Sequence, residues 1–351
     1  MHKLTLQRND FADLLRIIAA ILVTVSHAIT LICVPQYPGA PFWFYRLSGL
    51  GKPAVMIFLA VSGYSIMSEY IYKTEDFKLS KFLLKRITRL YIVLIPALLV
   101  TGFLDAVGIV SYGLNYSAEG NEKLAIVGQL NARNLLGTIL FTQNFLTDCL
   151  RSNSSLWSLS VEFWLYILFS VLIVGIEKSK YFLIIFVFLF CLLQRTYSDF
   201  FLLSLPWLAG ALAVYINKTK NTYIKKTILA IFALLFFKIL WNGYDFLSQW
   251  TYYVVLGIIT AILLGLNNYN LPPKAICRSD MTFSLFALHY PLLVLFAKAI
   301  GGPALKPSVI TYLIIASIIS FICLFSFCFS RFTEVKTSKV RKWLNAKKIF
   351  Y

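Results

Sequence analysis

"FADLLRIIAAILVTVSHAIT", residues 11–30, decides the fold class. An apolar stretch of about 20 residues is long enough for an α-helix to cross a hydrocarbon core of roughly 30 Å. Yet this one carries Asp13, Arg16 and His27. A charged side chain near a bilayer centre costs about 3 kcal/mol on insertion scales, so such residues usually face a protein interior and mark function.

Their spacing fits that expectation. Arg16 and His27 are eleven positions apart, which at 100° per residue is three turns plus about 20°, with a rise of about 16 Å. Asp13 falls within about 40° of the same line, so the polar residues form one stripe. Plainer readings stand beside this one. Arg16 can snorkel to the inner interface beside Asp13, and His27 can be a satisfied histidine between helices. The shared face counts against both.

The rest of the chain has the same character. Of its 351 residues 59% are hydrophobic and only 14% are charged, with a mean hydropathy of +0.75; an ordinary soluble domain does not show this. The sequence predicts an all-α, polytopic membrane helix bundle of about ten spans. They are 11–34, 51–72, 91–110, 156–176, 181–197, 199–217, 224–241, 249–266, 280–300 and 308–331. A weaker stretch at 134–146, "NLLGTILFTQNFL", is short for a span and reads as re-entrant or interfacial, with an eleventh crossing as the alternative. The first span is too long for a secretory leader and is followed by no small-residue cleavage site, so it is expected to be retained. No repeat or low-complexity linker is visible. Residues 1–335 are expected to form one integral-membrane domain and 336–351 a basic cytoplasmic tail.

A net charge of +18 raises nucleic acid as a partner, but the cations are distributed otherwise. They gather in alternate loops: Lys78, Lys81, Lys85, Arg86 and Arg89, then Lys178 and Lys180, then Lys218 to Lys226, then Lys274 and Arg278, then the tail. That is the positive-inside pattern, and it predicts both termini in the cytoplasm, membrane lipids as neighbours and no nucleic-acid partner. The six cysteines show no metal-ligand spacing, so no metal site is expected. Cys33 and Cys149 lie toward the outer face, where pairing is open to them if that face is oxidising; packing is the commoner fate of buried cysteines.

Further along, "LWSLSVEFWLY" holds Glu162 with Ser158 and Tyr166 four residues to either side, on one helical face. Entering from outside, Glu162 lies about 9 Å below the outer edge, and His27 about 24 Å from the inner edge. Those depths permit a carboxylate–imidazole contact that would raise the basicity of His27. Glu162 bonded elsewhere is the alternative. "FLLKRITRLYIVLIP" places Lys85, Arg86 and Arg89 within about one turn, suited to phosphate or to lipid head groups. "FLAVSGYSI" puts Ser62 and Gly63 mid-span, where small residues permit close helix packing. His289 in "FSLFALHYPLLVL" precedes Pro291, which frees a carbonyl and can kink the helix beside a cavity; a structural kink is the plainer reading. Glu334, just past the last span, reads as a solvated charge.

In order and placement these segments resemble the bacterial integral-membrane acyltransferases known as acyltransferase family three, which include surface-polysaccharide O-acetylases. Arg16 and His27 match its Arg-x10-His motif, Arg86 and Arg89 its Arg-x-x-Arg motif, and "LWSLSVEFWLY", with Trp157, Ser158 and Glu162, its Trp-Ser-Leu-x-x-Glu element. "FLAVSGYSI" and "FSLFALHYPL" resemble further family segments, and Glu334 sits where related chains often have an acid. The resemblance implies an O-acetyltransferase of the bacterial cytoplasmic (inner) membrane, a multi-pass protein. It implies transfer of acetyl from acetyl-CoA, with no bound cofactor, to a hydroxyl of an envelope glycan such as O-antigen or its lipid-linked precursor. His27 and Glu162 are then the catalytic candidates and Arg16, Arg86 and Arg89 the donor-binding ones. Asp13, Ser62, Trp157, Ser158 and His289 are further site candidates. The competing reading is a proton-coupled transporter or glycan exporter with His27, Glu162 and His289 as a relay; a non-catalytic scaffold is a third. The outward loops 35–50, 111–133 and 147–155 are expected to choose the acceptor.

Overall fold

The computed structural model describes residues 10–33, 40–72, 77–113, 116, 131–217, 227, 249–266, 281–301 and 305–347. Helices follow one another as α1 (Asp10–Ile32), α2 (Phe42–Ser48), α3 (Gly51–Tyr72), α4 (Leu79–Tyr112) and α5 (Ala132–Ile139). After a 3-10 turn (Arg151–Leu156) come α6 (Trp157–Glu177), α7 (Tyr181–Thr196), α8 (Phe200–Asn217), α9 (Gln249–Leu266), α10 (Thr282–Ala299) and α11 (Val309–Phe332). A second 3-10 turn (Glu334–Lys336) leads into α12 (Thr337–Ala346). Among the described residues there is no strand beyond two isolated bridges. The protein is all-α.

Among the described residues six segments are long and apolar enough to cross a membrane: α1, α3, α4, the 3-10 turn with α6, α10 and α11. Apolar helices α7, α8 and α9 are shorter. The expected span 224–241 lies outside the described residues, except for the helical Thr227. Leu99 and Phe103 on α4, Ile184 and Phe188 on α7, and Leu313 and Leu324 on α11 are all more than half exposed. Apolar side chains turned outward along long helices are what a lipid surround selects.

One boundary corrects the sequence reading, and one stretch follows its re-entrant or interfacial expectation rather than the alternative of an eleventh crossing. The span expected at 91–110 begins at Leu79 and runs for 34 residues, about 51 Å of helix. Its first three turns are basic and so suggest a loop in sequence, but leucine, lysine and arginine are good helix formers. Arg86 therefore sits within a helix and is only 6% exposed. The 134–146 stretch does not cross. Its helix α5 has 8 residues, about 12 Å, and the chain turns back through Phe141 (φ 56°) and Asn144 (φ 71°). Tyr91 Oη donates to the Ile139 carbonyl at 2.7 Å and Trp164 Nε1 to the Phe141 carbonyl at 2.9 Å. These bonds hold the turn against α4 and α6.

The helices gather into two compact units, with the boundary in α1 after Val23. The first contains the start of α1, α3, α8 and α9. Its helices pack backbone to backbone. A Cβ on Gly63 would lie 1.9 Å from the Trp207 carbonyl oxygen, and one on Gly210 would lie 1.9 Å from that of Ala60. Small residues let α3 and α8 meet this closely, as the Ser62–Gly63 pair suggests.

The second unit holds the rest of α1, α2, α4 to α7 and α10 to α12. Here α10 is central and packs on α4, α11 and the 3-10 turn. Cys33 and Cys149 do not form a disulfide with each other: Cys33 Sγ donates to the Leu305 carbonyl and Cys149 Sγ to Asn144 Oδ1. The basic C-terminal segment forms α12, whose Arg341 reaches Thr88 Oγ1 and the Lys85 carbonyl on α4. Glu334 is no solvated charge. Its Oε2 accepts from the backbone N–H and the hydroxyl of Ser284, both at 3.1 Å, and so caps the first turn of α10.

Candidate functional site

Within the second unit the C-terminal half of α1 and the middle of α10 bring two imidazoles together. His27 Nδ1 lies 3.0 Å from His289 Nε2, with the rings stacked at 5.3 Å between centroids and 4° between planes. Tyr290 meets the His27 ring edge-on at 5.0 Å. His289 is fully buried and His27 half-buried.

The helix around His289 sets the protons. His289 Nδ1 is 2.8 Å from the Phe286 carbonyl and 3.1 Å from that of Leu285, one turn back on its own helix. Carbonyl oxygens only accept, so Nδ1 of His289 carries the proton. In the neutral ring Nε2 is then a lone pair, and it accepts from Nδ1–H of His27. His27 Nε2 is left unprotonated, with no hydrogen bond among the described residues. A neutral imidazole oriented in this way is set up to accept a proton.

Pro291 shapes the same stretch. With no N–H it leaves the Ala287 carbonyl, four residues earlier, without its helical partner. Asn153 from the 3-10 turn fills the gap: its Nδ2 donates to that carbonyl at 2.8 Å and to Thr101 Oγ1 at 3.1 Å. Its Oδ1 accepts from Ser155 Oγ at 3.0 Å. Asn153 was not found from sequence. The one signal pointing to such a residue was Pro291, which requires a donor for the carbonyl it frees.

Glu162 belongs elsewhere in this unit. The contact with His27 that its depth permits does not form: its carboxylate accepts from the Tyr166 hydroxyl on its own helix. Tyr166 and Phe82 flank Arg86, whose guanidinium lies 5.6 Å and 5.2 Å from their ring centroids. Arg89 is also close enough for its charge to act on Tyr166. The two arginines, Glu162 and Tyr166 thus form one cluster between α4 and α6. Trp157 opens α6 and Ser158 is buried one residue on; no hydrogen bond joins either to the histidine pair.

In the first unit Arg16 does not snorkel alone. It pairs with Asp13 at 2.7 Å and donates to Ser65 Oγ at 2.6 Å. Ser62, one turn before Ser65's neighbour Ile66 on α3, is 6% exposed.

An imidazole with a fixed tautomer suits group transfer, for it can take a proton from an attacking nucleophile. Comparison with known proteins agrees. The family model described as "Acyltransferase domain" matches residues 9–329. A curated relative, an O-acetyl transferase of Shigella phage Sf6, is 25% identical over 313 residues, covering 83% of this chain and 85% of that protein. No solved structure gives a significant match. A match running from the start of α1 almost to the end of α11 takes in the histidine pair and the arginine cluster together, and this chain belongs to the acyltransferase domain family.

Proposed function

We propose that the protein is an O-acetyltransferase that moves an acetyl group from acetyl-CoA to a hydroxyl of an envelope glycan, such as O-antigen or its lipid-linked precursor, in the bacterial cytoplasmic membrane. Family membership and the phage relative's name support acyl and O-acetyl transfer. The observation that carries the chemistry is the His27–His289 pair, which leaves His27 Nε2 with a free lone pair.

A sugar hydroxyl is a weak nucleophile at neutral pH. As its oxygen attacks the thioester carbonyl, Nε2 of His27 takes the hydroxyl proton while the new charge on Nδ1–H is shared with His289. Collapse of the tetrahedral intermediate expels the CoA thiolate, which takes that proton. Arg86 and Arg89 supply guanidinium groups for the CoA phosphates. Glu162, through Tyr166, braces that cluster, and Arg16 keeps a donor role on its place in the Arg-x10-His motif. Acetyl-CoA is the donor substrate, and no resident cofactor enters the scheme.

The test supplies purified protein with labelled acetyl-CoA and envelope glycan, comparing the parent with His27→Ala at matched folded amount. Loss of a general base lowers the rate by about 10²- to 10⁴-fold. Undiminished acetylation by His27→Ala would end the general-base role.

A further inference from the structure

α5 and the turn after it enclose an open cavity of about 400 Å³. Its polar lining includes Asn131, Arg133, Asn144, Thr147 and Asp148, and Phe145 borders it. The walls are fixed. Asn131 Oδ1 caps α5 through the Asn134 N–H at 2.8 Å, and Arg133 Nη2 pins the opposite wall at the Leu146 carbonyl at 3.0 Å. Gly137 lets that wall approach, since a Cβ there would lie 1.9 Å from Thr147 Oγ1. Asn144, of a residue type that tolerates the left-handed region, and Phe141 both adopt positive φ, and for the phenylalanine that conformation costs about 1–2 kcal/mol. Non-glycine residues are retained in such conformations only where the surroundings impose them, commonly at ligand sites.

The groups this wall leaves over define a ligand. Asp148 is exposed and makes no hydrogen bond among the described residues. Arg133 has guanidinium nitrogens beyond the one bound to Leu146. One cation and one anion leave the lining with no net charge, and the Asp148 carboxylate would repel a phosphate. Carboxylate and amide oxygens accept from neighbouring hydroxyls while guanidinium and amide nitrogens donate to them. Phe145 packs edge-on against Tyr197 at 5.6 Å and Trp164 at 6.3 Å between centroids, so the cavity surface is almost wholly polar. The volume falls within the usual range for small-ligand sites, roughly 300–1,000 Å³.

We propose that this cavity is a sugar-binding subsite that holds one neutral residue of the acceptor glycan. The inference rests on the glycan-acceptor reading above and assigns that acceptor a place.

The experiment uses the full chain in detergent with de-O-acetylated oligosaccharides released from the bacterial surface polysaccharide. Binding is read by saturation-transfer NMR and transfer by steady-state kinetics, for the parent, Asp148→Ala and Arg133→Ala. Each variant is expected to lose saturation transfer and to raise the oligosaccharide KM by at least about tenfold, the loss of a hydrogen bond to a charged group. Acceptor-independent hydrolysis of acetyl-CoA should stay unchanged. An unaltered KM and saturation transfer in both variants overturns the subsite, as does an oligosaccharide that fails to bind the parent. If the parent binds the oligosaccharide, Asp148→Ala does not, and no acetyl is transferred, the subsite stands and the proposed reaction falls.

Discussion

The side chain of Asn153 donates to the carbonyl of Ala287 at 2.8 Å, the carbonyl that Pro291 leaves without a helical donor. Both groups are buried, so water cannot replace the bond. Asn153→Ala also strips Thr101 of a partner. Leaving a buried acceptor unmet costs about 1–3 kcal/mol, so this variant should unfold at a clearly lower temperature than the parent in the same detergent. An unchanged melting temperature would show that the carbonyl finds another donor.

His289 is expected to matter to rate through His27. His289→Ala removes the acceptor for Nδ1–H and frees the His27 ring to change tautomer. Acetyl transfer should fall by about 10- to 100-fold, less than for loss of the base itself. His289→Gln, whose amide oxygen can reach toward Nδ1 of His27, should recover part of it. Rates measured at matched folded protein check this, and a glutamine variant no better than alanine would argue against an acceptor role.

The Glu334 carboxylate acts on α10 from outside that helix, through the Ser284 N–H and hydroxyl. A cap of this kind is worth about 1 kcal/mol, with the charge adding a favourable interaction with the helix dipole. Glu334→Ala should therefore lower stability by about that amount, and Glu334→Gln, which keeps an acceptor oxygen, by less. Thermal unfolding of the two variants in one detergent makes the comparison. Equal losses would assign the effect to charge alone.

How far the sequence foretold this arrangement depends on which physical signal each residue carries. Apolar run length located most of the helices because crossing a hydrocarbon core imposes it locally. The helical period put Arg16, His27 and Asp13 on one stripe for the same reason. Pairing between helices is non-local, and depth alone suggested Glu162 as the partner of His27 when the imidazole is met by His289. Asn153 was invisible because its role exists only against the carbonyl that Pro291 frees, 134 positions from it along the chain. Glu334 looks solvated in sequence for a like reason: the N–H and hydroxyl of Ser284 that it accepts from belong to a helix 50 residues earlier.

The contact between α3 and α8 yields a paired prediction. At Gly63 and Gly210 the atoms that a Cβ would strike are backbone oxygens of Trp207 and Ala60, each at 1.9 Å. No rotamer change can move a carbonyl, so the helices themselves must separate. Overpacking of this kind costs about 1–3 kcal/mol or more, and Gly63→Ala and Gly210→Ala should each lower the melting temperature markedly. Gly102 on α4 is the control, for a Cβ there meets nothing within 4 Å. Since alanine exceeds glycine in a helix interior by about 0.5–1 kcal/mol, Gly102→Ala should raise the melting temperature. Thermal unfolding of all three in the same detergent tests the pair: opposite signs are expected, and a tolerated alanine at Gly63 or Gly210 would mean that α3 and α8 are not packed backbone to backbone.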